Sequence, residues 1–305
     1  MSTNNSKTEI PFKKFGVPIL VEQHQQSNWC PGCGDFALLK ATKRALGRLG
    51  FDPKDIVTVS GIGCSSNFVH FGMWYGFHAI HGRAMPTATG IHLANTDLKT
   101  IVVGGDGDGY GIGLSHFIHG ARRNVNLIYM VMNNQIYGLT LGQASPSSRE
   151  KMVTKITPDG VDEQPINPIT LALSGGATFV ARGFSGDVKH LEDLIIEAIN
   201  HKGFSFIDVL SPCVTFNKVN TYKFFKDRVY NLQEEGHNSS NLADALARGL
   251  DWENGRIPIG IFYQNKSRPA LHEIIPGTTF GNIINAPLGF KEMGISEDQV
   301  FDDFR

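Results

Sequence analysis

Residues 102–113 form a glycine-rich stretch, VVGGDGDGYGIG, that contains two aspartates. A backbone with so few side chains suggests a loop that binds a ligand. A dinucleotide-binding loop needs glycines at its first, third and sixth positions, and alignments that start at Gly105, Gly107 and Gly109 meet Tyr110, Ile112 and Leu114 at the sixth. No Gly-Lys-Ser/Thr follows, which excludes a P-loop. A calcium-binding EF-hand loop counted from Asp106 would need glutamate at its twelfth position, which is Phe117.

The remaining pattern is Gly-Asp-Gly at residues 105–107, then 25 residues, then Asn133 and Asn134. The apolar segments Thr100–Val103 and Val125–Met132 predict parallel strands joined by a helix, so both polar groups follow strands that end on one edge of a sheet. A carboxylate and an amide oxygen brought together there suit Mg²⁺, which shares its ligands with substrate phosphates. The glycines let backbone amides approach a diphosphate.

This arrangement resembles the thiamine diphosphate motif. In that motif the metal is held by the aspartate of Gly-Asp-Gly, an asparagine after the crossover, and a backbone carbonyl two residues further on. The matching positions are Asp106, Asn134 and Ile136. The alternative interpretation is an ordinary glycine-rich strand turn followed by an asparagine-rich one.

The chain has four cysteines, of which Cys30 and Cys33 form a Cys-Pro-Gly-Cys before a predicted helix, whereas Cys64 and Cys213 each follow a predicted strand. If those strands join one parallel sheet, the four sulfurs converge near the diphosphate. A thioredoxin-like dithiol would use the first pair only, and a structural zinc usually takes two close pairs. A 4Fe–4S cluster commonly combines one Cys-x-x-Cys with distant single cysteines, so the spacing favours a cluster over zinc or a dithiol.

The elements that must position these residues alternate between strands and helices. Apolar strands separated by helical segments predict an α/β fold with a mostly parallel sheet flanked by helices. Asp35 is expected to cap a helix that Gly50 ends. We expect residues 1–220 to form the domain that binds the thiamine cofactor and iron–sulfur cluster, and residues 221–305 to form an irregular extension on the sheet or on a partner subunit.

Composition excludes several classes of protein. With 305 residues, of which 41% are hydrophobic, the chain can bury a sizeable core. Its net charge of −1 and pI near 6.8 argue against a nucleic-acid surface. No apolar run approaches the ~18 residues of a membrane span, and the first sixteen residues contain no signal-peptide core. We therefore expect a cytoplasmic protein with neither nucleic acid nor membrane as a partner.

Both predicted sites together resemble the β subunit of the 2-oxoacid:ferredoxin oxidoreductases. The segments that carry the resemblance lie between residues 28 and 213 and read NWCPGCGD, GIGCSSNF, YGFHAIHGRAMPTATGIHLAN, VVGGDGDGYGIG, NNQIYGLTLGQASPSS and SPC. Among members of this family, GFHAIHGRA and GGDGDG are most similar to the 2-oxoglutarate enzymes. One position departs from the family, because Leu141 stands where a lysine is common before Gly-Gln.

The resemblance implies an α/β thiamine diphosphate-binding domain of the diphosphate type, with Mg²⁺ and one 4Fe–4S cluster. It implies oxidative decarboxylation of a 2-oxoacid, best matched by 2-oxoglutarate, with coenzyme A taking the acyl group and electrons passing through the cluster to ferredoxin. Too few residues precede the Gly-Asp-Gly motif to supply the acid that activates thiamine, so we expect this acid to lie on a partner α subunit. The chain alone should then be inactive.

The site residues follow from the same match. The expected cluster ligands are Cys30, Cys33, Cys64 and Cys213. The expected cofactor contacts are Gly105, Asp106, Gly107, Asn134, Ile136, Cys64 and Ser65, with Asn67 and Leu139 expected near the substrate. His78, His81 and Arg83 could anchor the distal carboxylate of the substrate, or they could stabilise a loop.

Other functions are compatible with parts of this pattern. The chain could serve pyruvate or several 2-oxoacids instead of 2-oxoglutarate. It could also be a subunit of a non-oxidative thiamine-dependent decarboxylase with a structural zinc, or a metal-binding scaffold whose glycine loop is only a turn.

Overall fold

The computed structural model describes residues 27–275 and residue 296, so most of the polar segment before Asn28 and of the chain beyond Ile275 lies outside the described residues. The strands in chain order are β1 (Ile56–Ser60), β2 (Tyr75–His78), β3 (Lys99–Gly105), β4 (Leu127–Asn133), β5 (Phe179–Phe184), β6 (Phe204–Leu210), β7 (Val229–Asn231) and β8 (Ile257–Gln264). The α-helices are α1 (Asp35–Arg48), α2 (Ala84–Ala94), α3 (Leu114–Arg123), α4 (Pro168–Ser174), α5 (Val188–Asn200), α6 (Tyr222–Lys226), α7 (Leu242–Leu250) and α8 (Leu271–Ile274).

These strands form one sheet in the order β2-β1-β3-β4-β6-β5-β8-β7. Every neighbouring pair is parallel except β5 and β8, which are antiparallel. The central strands β4 and β6 are buried at every residue, as expected for strands covered on both faces. The predicted α/β fold with a mostly parallel sheet is confirmed.

The two faces of the sheet bury separate cores because successive side chains of a strand point to opposite faces. On one face, Ile101 and Val103 of β3 pack in a core with residues of α1 and α5. On the other face, Val102 packs in a core that includes Phe117 of α3 and Phe206 of β6. The helices therefore cover both faces and leave the strand ends open for ligands.

The start of α1 differs from the sequence prediction. Gly34 occupies the N-cap position and Asp35 is the first helical residue, so the predicted capping role of Asp35 is wrong. The Asp35 side chain is buried and accepts a hydrogen bond of 2.8 Å from the Ser211 hydroxyl. This contact directs one carboxylate oxygen toward the segment after β6 instead of the amides of the first helical turn. Gly50 has a positive φ of 74°, as a glycine that ends a helix should.

The described part of the C-terminal segment continues the sheet. Residues 221–275 form α6, β7, α7, β8 and α8, and β8 adds to the sheet beside β5. The segment holds one of the smaller cores, with Phe225 and Ile257 packed against Phe184 of β5. The division into two domains at residue 220 stays a prediction. No helix among the described residues is long and apolar enough to cross a membrane.

The central strands bring the chemistry-bearing loops to one edge. Because β1, β3, β4 and β6 are parallel neighbours, their carboxyl ends lie together. The register pairs Ser60 with Val103, Gly105 with Met132, and the end of β4 with Leu210. The segments that follow these strands contain the predicted magnesium ligands together with Cys64 and Cys213, and Cys30 and Cys33 precede α1.

Candidate active site

One pocket at this edge, with a volume of about 140 Å³, is lined by the glycine-rich loop and the loop after β4. We call it the glycine-loop pocket. It brings together all of the predicted cofactor contacts, namely Gly105, Asp106, Gly107, Asn134, Ile136, Cys64 and Ser65. Leu139, predicted to lie near the substrate, also lines it.

Asp106 is a buried carboxylate that accepts hydrogen bonds from two serine hydroxyls and from the backbone of Asp106 and Asn134. The Ser147 hydroxyl lies 2.6 Å from Oδ2, the Ser145 hydroxyl donates to the same oxygen, and the Asn134 backbone also donates to the carboxylate. Burial raises the pKa of Asp106 to about 6 against these hydrogen bonds, which lower it. A buried carboxylate with no cationic side chain bonded to it within the described residues suits a metal ion as its partner.

The loop after β4 turns sharply so that two closely spaced positions line the same pocket. Gln135 has a left-handed φ of 57°, and its carbonyl accepts a hydrogen bond of 2.7 Å from Ser148. The Asn134 side chain accepts a hydrogen bond of 3.1 Å from the Ile136 amide. This turn holds Asn134 and Ile136 beside Asp106, in the order that the magnesium motif requires.

Glycine at position 107 is required by close packing. A Cβ atom there would lie 2.1 Å from the Tyr137 ring, far inside van der Waals contact. The Tyr137 hydroxyl donates a hydrogen bond of 3.0 Å to the Gly107 carbonyl. The bare loop can therefore rest against Tyr137 and present its backbone to the pocket, which suits a phosphate-bearing ligand.

The second aspartate of the motif has a different role. Asp108 is buried and accepts hydrogen bonds from the backbone amides of Ile62 (2.9 Å) and Gly82 (2.7 Å). Its Oδ1 also lies 2.6 Å from Nδ1 of His81, whose ring lines the glycine-loop pocket. Asp108 thus joins three loops and orients an imidazole at the edge of the pocket.

A second pocket, of about 90 Å³, is lined by all four cysteines, and we call it the cysteine pocket. It shares Cys64, Asn134, Gly138 and Leu139 with the glycine-loop pocket. A Cβ built on Gly138 would lie 3.6 Å from the Cys213 sulfur and 3.9 Å from the Cys64 sulfur. The four thiols form no disulfide and lie directly beside the predicted cofactor site.

Contacts between loops bring the cysteines together. The Gly34 amide donates to the Pro212 carbonyl at 3.2 Å, which joins the Cys-x-x-Cys loop to the segment before Cys213. The Trp29 indole donates to the Cys64 carbonyl at 2.6 Å. Three distant stretches of sequence therefore converge through backbone and tryptophan contacts.

Burial raises the pKa of Cys33, and the nearby Asp35 carboxylate raises it further. Burial likewise raises the pKa of Cys64 to about 11, followed by the charges of Asp35, Cys213 and Cys30. Thiols crowded in this way lose their protons only beside positive charge, which iron or zinc supplies. The donor set fits a thiolate-bound metal group.

Among the described residues, no three side chains of His, Cys, Asp or Glu are gathered as ligands of one metal ion. The predicted magnesium set contains only one such side chain, Asp106, together with an amide and a backbone carbonyl. In a 4Fe–4S cluster each cysteine binds a different iron, so its four sulfurs need not crowd one centre. The residues therefore fit both groups, and their ligand roles stay predictions.

The other predicted residues are divided between the pockets and the surface. Asn67 lines the cysteine pocket and not the glycine-loop pocket. His78 lies on β2, with Nδ1 at 3.2 Å from His70, and does not line the glycine-loop pocket. Arg83 donates to carbonyls of two loops, at Gly82 and at residue 112, which agrees with loop stabilisation.

Sequence reasoning missed the serines that hold Asp106. Ser145 and Ser147 lie in ASPSS, a segment that carries the family resemblance but gives no indication of what each serine contacts. The available signal was that these two serines are two residues apart in a hydroxyl-rich segment that follows Gly-Gln. The engagement of Asp108 with His81 had no comparable signal, because the two residues meet only through the fold.

Comparison with known proteins agrees with this geometry. Residues 61–209 match the family described as thiamine pyrophosphate enzyme, C-terminal TPP binding domain. Residues 213–279 match the family described as the C-terminal part of the pyruvate ferredoxin oxidoreductase β subunit. The first match contains the glycine-loop pocket, and the chain carries a thiamine diphosphate-binding domain.

Individual relatives give the same result. A 2-oxoacid:ferredoxin oxidoreductase subunit beta from Saccharolobus solfataricus is 48% identical over 79% of this chain and 82% of the relative. The 2-oxoglutarate oxidoreductase subunit KorB of Mycobacterium tuberculosis is 47% identical over 63% of this chain and 52% of the relative. A solved structure is similar at a TM-score of 0.81 and 39% identity over 93% of each chain. It is the 2-oxoglutarate:ferredoxin oxidoreductase from Magnetococcus marinus with 2-oxoglutarate, coenzyme A and succinyl-CoA bound. This chain belongs to the family of 2-oxoacid:ferredoxin oxidoreductase β subunits.

Proposed function

We propose that this β subunit serves an enzyme that oxidatively decarboxylates 2-oxoglutarate, with coenzyme A as acyl acceptor and ferredoxin as electron acceptor. The observation that carries the proposal is the contact between the two pockets, which share Cys64, Asn134, Gly138 and Leu139. Bound thiamine diphosphate would supply the carbanion chemistry of decarboxylation, and a 4Fe–4S cluster would accept electrons beside it.

The residues of this chain would bind and orient these groups. Asp106, Asn134 and the Ile136 carbonyl would hold Mg²⁺, while Ser145 and Ser147 orient the Asp106 carboxylate. The remaining predicted contacts, Gly105, Gly107, Cys64 and Ser65, line the same pocket and would approach the cofactor. The expected cluster ligands are Cys30, Cys33, Cys64 and Cys213.

The choice of 2-oxoglutarate rests on the relatives. Both the KorB relative and the solved 2-oxoglutarate:ferredoxin oxidoreductase support this substrate. His81 lines the pocket and carries a hydrogen-bonded partner in Asp108, so it can present a fixed imidazole to an anionic ligand. Leu139 and Leu141 are 55% and 62% exposed, so the loop that bears them can contact substrate or the partner subunit.

The acid that activates thiamine is proposed to come from an α subunit. Of the described residues, Asp106 and Asp108 are the carboxylates that line the glycine-loop pocket. The first is bonded to serines, and the second is bonded to backbone amides and His81. Neither is free for a further role beside the aminopyrimidine ring. The catalytic unit is therefore expected to be an αβ heterodimer.

Co-expression with the α subunit, followed by anaerobic purification, tests this function. We expect reduction of a viologen dye that requires 2-oxoglutarate and coenzyme A, with kcat/KM at least about tenfold above that for pyruvate. If dye reduction with pyruvate is equally fast or faster, pyruvate replaces 2-oxoglutarate as the proposed substrate. Release of carbon dioxide without dye reduction would contradict the oxidative reaction and favour a non-oxidative decarboxylase.

A further inference from the structure

A third pocket, of about 60 Å³, lies behind the loop after β4 and is lined by two arginines, Arg149 and Arg182. None of its lining residues lines the glycine-loop pocket or the cysteine pocket. A cavity that holds one water needs about 10–15 Å³ when measured with a water-sized probe, so this pocket can hold several waters or a small ion. Nothing in the proposed reaction uses it.

Arg182 is 1% exposed, and its charge is balanced by one buried acid. Its Nε donates to Oδ2 of Asp208 at 2.8 Å, and Tyr110 and Asn133 donate to the other oxygen of that carboxylate. The Arg182 guanidinium also lies 4.7 Å from the centre of the Trp252 ring. Its Nη1 is buried and has no partner within the described residues. A buried guanidinium nitrogen that lacks a partner carries a large desolvation cost.

Arg149 adds a positive charge that no described carboxylate balances. Its Nε is buried and has no partner, and none of the ion pairs within residues 27–275 includes it. Its guanidinium lies 4.2 Å from the centre of the Phe224 ring, while Arg228 lies 4.1 Å from the same centre. Burial and the charge of Arg228 lower the pKa of Arg149. The pocket is thus lined by an arginine whose charge no described carboxylate balances.

We propose that this pocket binds a small oxyanion, a free carboxylate or a sulfate- or phosphate-like ion, between the guanidinium groups of Arg149 and Arg182. Both arginines offer nitrogens in the fork geometry that suits such anions. An anion there balances the charge of Arg149 and gives an acceptor to guanidinium groups that line the pocket. The inference is independent of the proposed function.

The site is connected to the predicted magnesium ligand through two side chains. Ser147 and Asn133 both line the anion pocket. The Ser147 hydroxyl lies 2.6 Å from Asp106 Oδ2 and 2.9 Å from Asn133 Oδ1, so its single proton can serve either acceptor. Asn133 in turn donates to Asp208, the partner of Arg182. An anion in the pocket therefore acts on the same hydrogen-bond network that orients Asp106.

The test is thermal unfolding of the full chain, purified with its α subunit, in increasing sulfate and, separately, acetate. Ionic strength is held constant with sodium chloride. We expect a saturable rise in the melting temperature with at least one of the two anions; saturation by sulfate indicates a tetrahedral oxyanion, and saturation by acetate a carboxylate. Arg149→Gln should raise the half-saturating concentration about tenfold or more, because a charged hydrogen bond contributes about 1.5–3 kcal/mol.

Arg228→Gln is the matched control, because Arg228 also stacks on Phe224 but does not line the pocket. It removes the same charge and should change half-saturation by less than about twofold. Arg149→Gln is preferred to substitution of Arg182, whose loss leaves Asp208 buried without its cation. A response that is linear and equal in the wild type and Arg149→Gln would overturn the proposal. So would an equal loss in Arg149→Gln and Arg228→Gln.

Discussion

At the scale of single residues, Asp106 and Asp108 lie two positions apart but have different hydrogen-bond partners. Asp106 is buried with hydroxyl donors and no bonded cationic side chain within the described residues, whereas Asp108 receives two backbone amides and approaches His81. The carboxylate of Asp108 is therefore part of the folded framework. We expect the carboxylate of Asp106 to gain further stabilisation from the proposed Mg²⁺ ion.

This difference predicts opposite effects of substitution. Asp106→Asn should weaken Mg²⁺-dependent binding of thiamine diphosphate by more than about tenfold, with little change in melting temperature of the chain without cofactor. Asp108→Ala should destabilise the fold by about 3 kcal/mol, because two buried amides lose a charged acceptor. Calorimetric titration and thermal unfolding of both variants measure the two effects. The assignment is wrong if Asp106→Asn binds the cofactor normally, or if Asp108→Ala unfolds at the wild-type temperature.

At this scale the sequence predicted which residues meet but not what supports them. The predicted cofactor contacts line one pocket because each directly follows a strand of the parallel sheet or its turn, and strand ends can be located from apolar runs. Ser147 and the arginines of the anion pocket have no such signal, and His81 was a candidate for the substrate carboxylate but not for contact with Asp108. Their contacts arise between loops whose paths sequence periodicity does not determine.

At the scale of elements, the cysteine-bearing loops depend on close backbone packing at the start of α1. A Cβ on Gly34 would lie 2.4 Å from the Ser211 hydroxyl oxygen and 2.8 Å from the Ser211 Cα. The second distance involves backbone, which cannot rotate away. Gly34 therefore allows the Cys-x-x-Cys loop to approach the segment that carries Cys213.

Gly34→Ala should separate these loops, lower the stability by about 1–3 kcal/mol and reduce the iron content of the purified chain. Gly90→Ala is the control, because a Cβ on Gly90 of α2 meets nothing within 4 Å. It should be neutral or stabilising by up to about 1 kcal/mol. Unfolding curves and iron analysis of both variants check this, and wild-type stability with full iron in Gly34→Ala would contradict it.

A buried histidine, His201, leads us to expect that the stability of the fold depends on pH. His201 follows α5, is 4% exposed, and has Nε2 at 2.8 Å from the Thr178 hydroxyl, while Nδ1 is buried without a partner in the described part of the chain. Burial lowers the pKa of His201 to about 4, with a smaller effect from Lys266. The unfolded chain, with a histidine pKa near 6.5, binds this proton first.

The contribution of His201 to stability is therefore fully present above about pH 6.5 and is lost as the pH falls toward 4, at up to about 1.4 kcal/mol per pH unit. Urea unfolding at several pH values measures it. His201→Gln should reduce the dependence between pH 6.5 and 4. An unchanged pH profile in that variant would show that other groups cause the acid sensitivity.

At the scale of elements the sequence also located the strands that carry the site, β1, β3, β4 and β6, and the helices α2, α3 and α5, but not α4. It did not predict β2, whose four residues are all exposed, the parallel strand β5 beside β6, or the antiparallel β8 with its neighbour β7. Proline-punctuated segments such as IPIGIFYQ give little periodic signal. Their pairing is determined by the free edge of β5, a property of the assembled sheet.

At the scale of the whole molecule, we propose that this chain supplies one half of a thiamine site that an α subunit completes. It should therefore turn over no 2-oxoacid by itself, and addition of the α subunit should restore dye reduction. A pull-down and an activity assay on the separate and mixed subunits measure this. Turnover by the β subunit alone would mean that the activating acid lies in this chain.

The central claim is that the four cysteines bind one 4Fe–4S cluster beside the thiamine pocket. The most direct measurement is the iron, acid-labile sulfide and zinc content per β chain after anaerobic purification with the α subunit. We expect about four irons and four sulfides and no zinc, and loss of both iron and sulfide in Cys213→Ala. Thr215→Ala, which alters the same pocket without removing a thiol, should retain them. One zinc per chain without iron would contradict the account and remove the route for electrons.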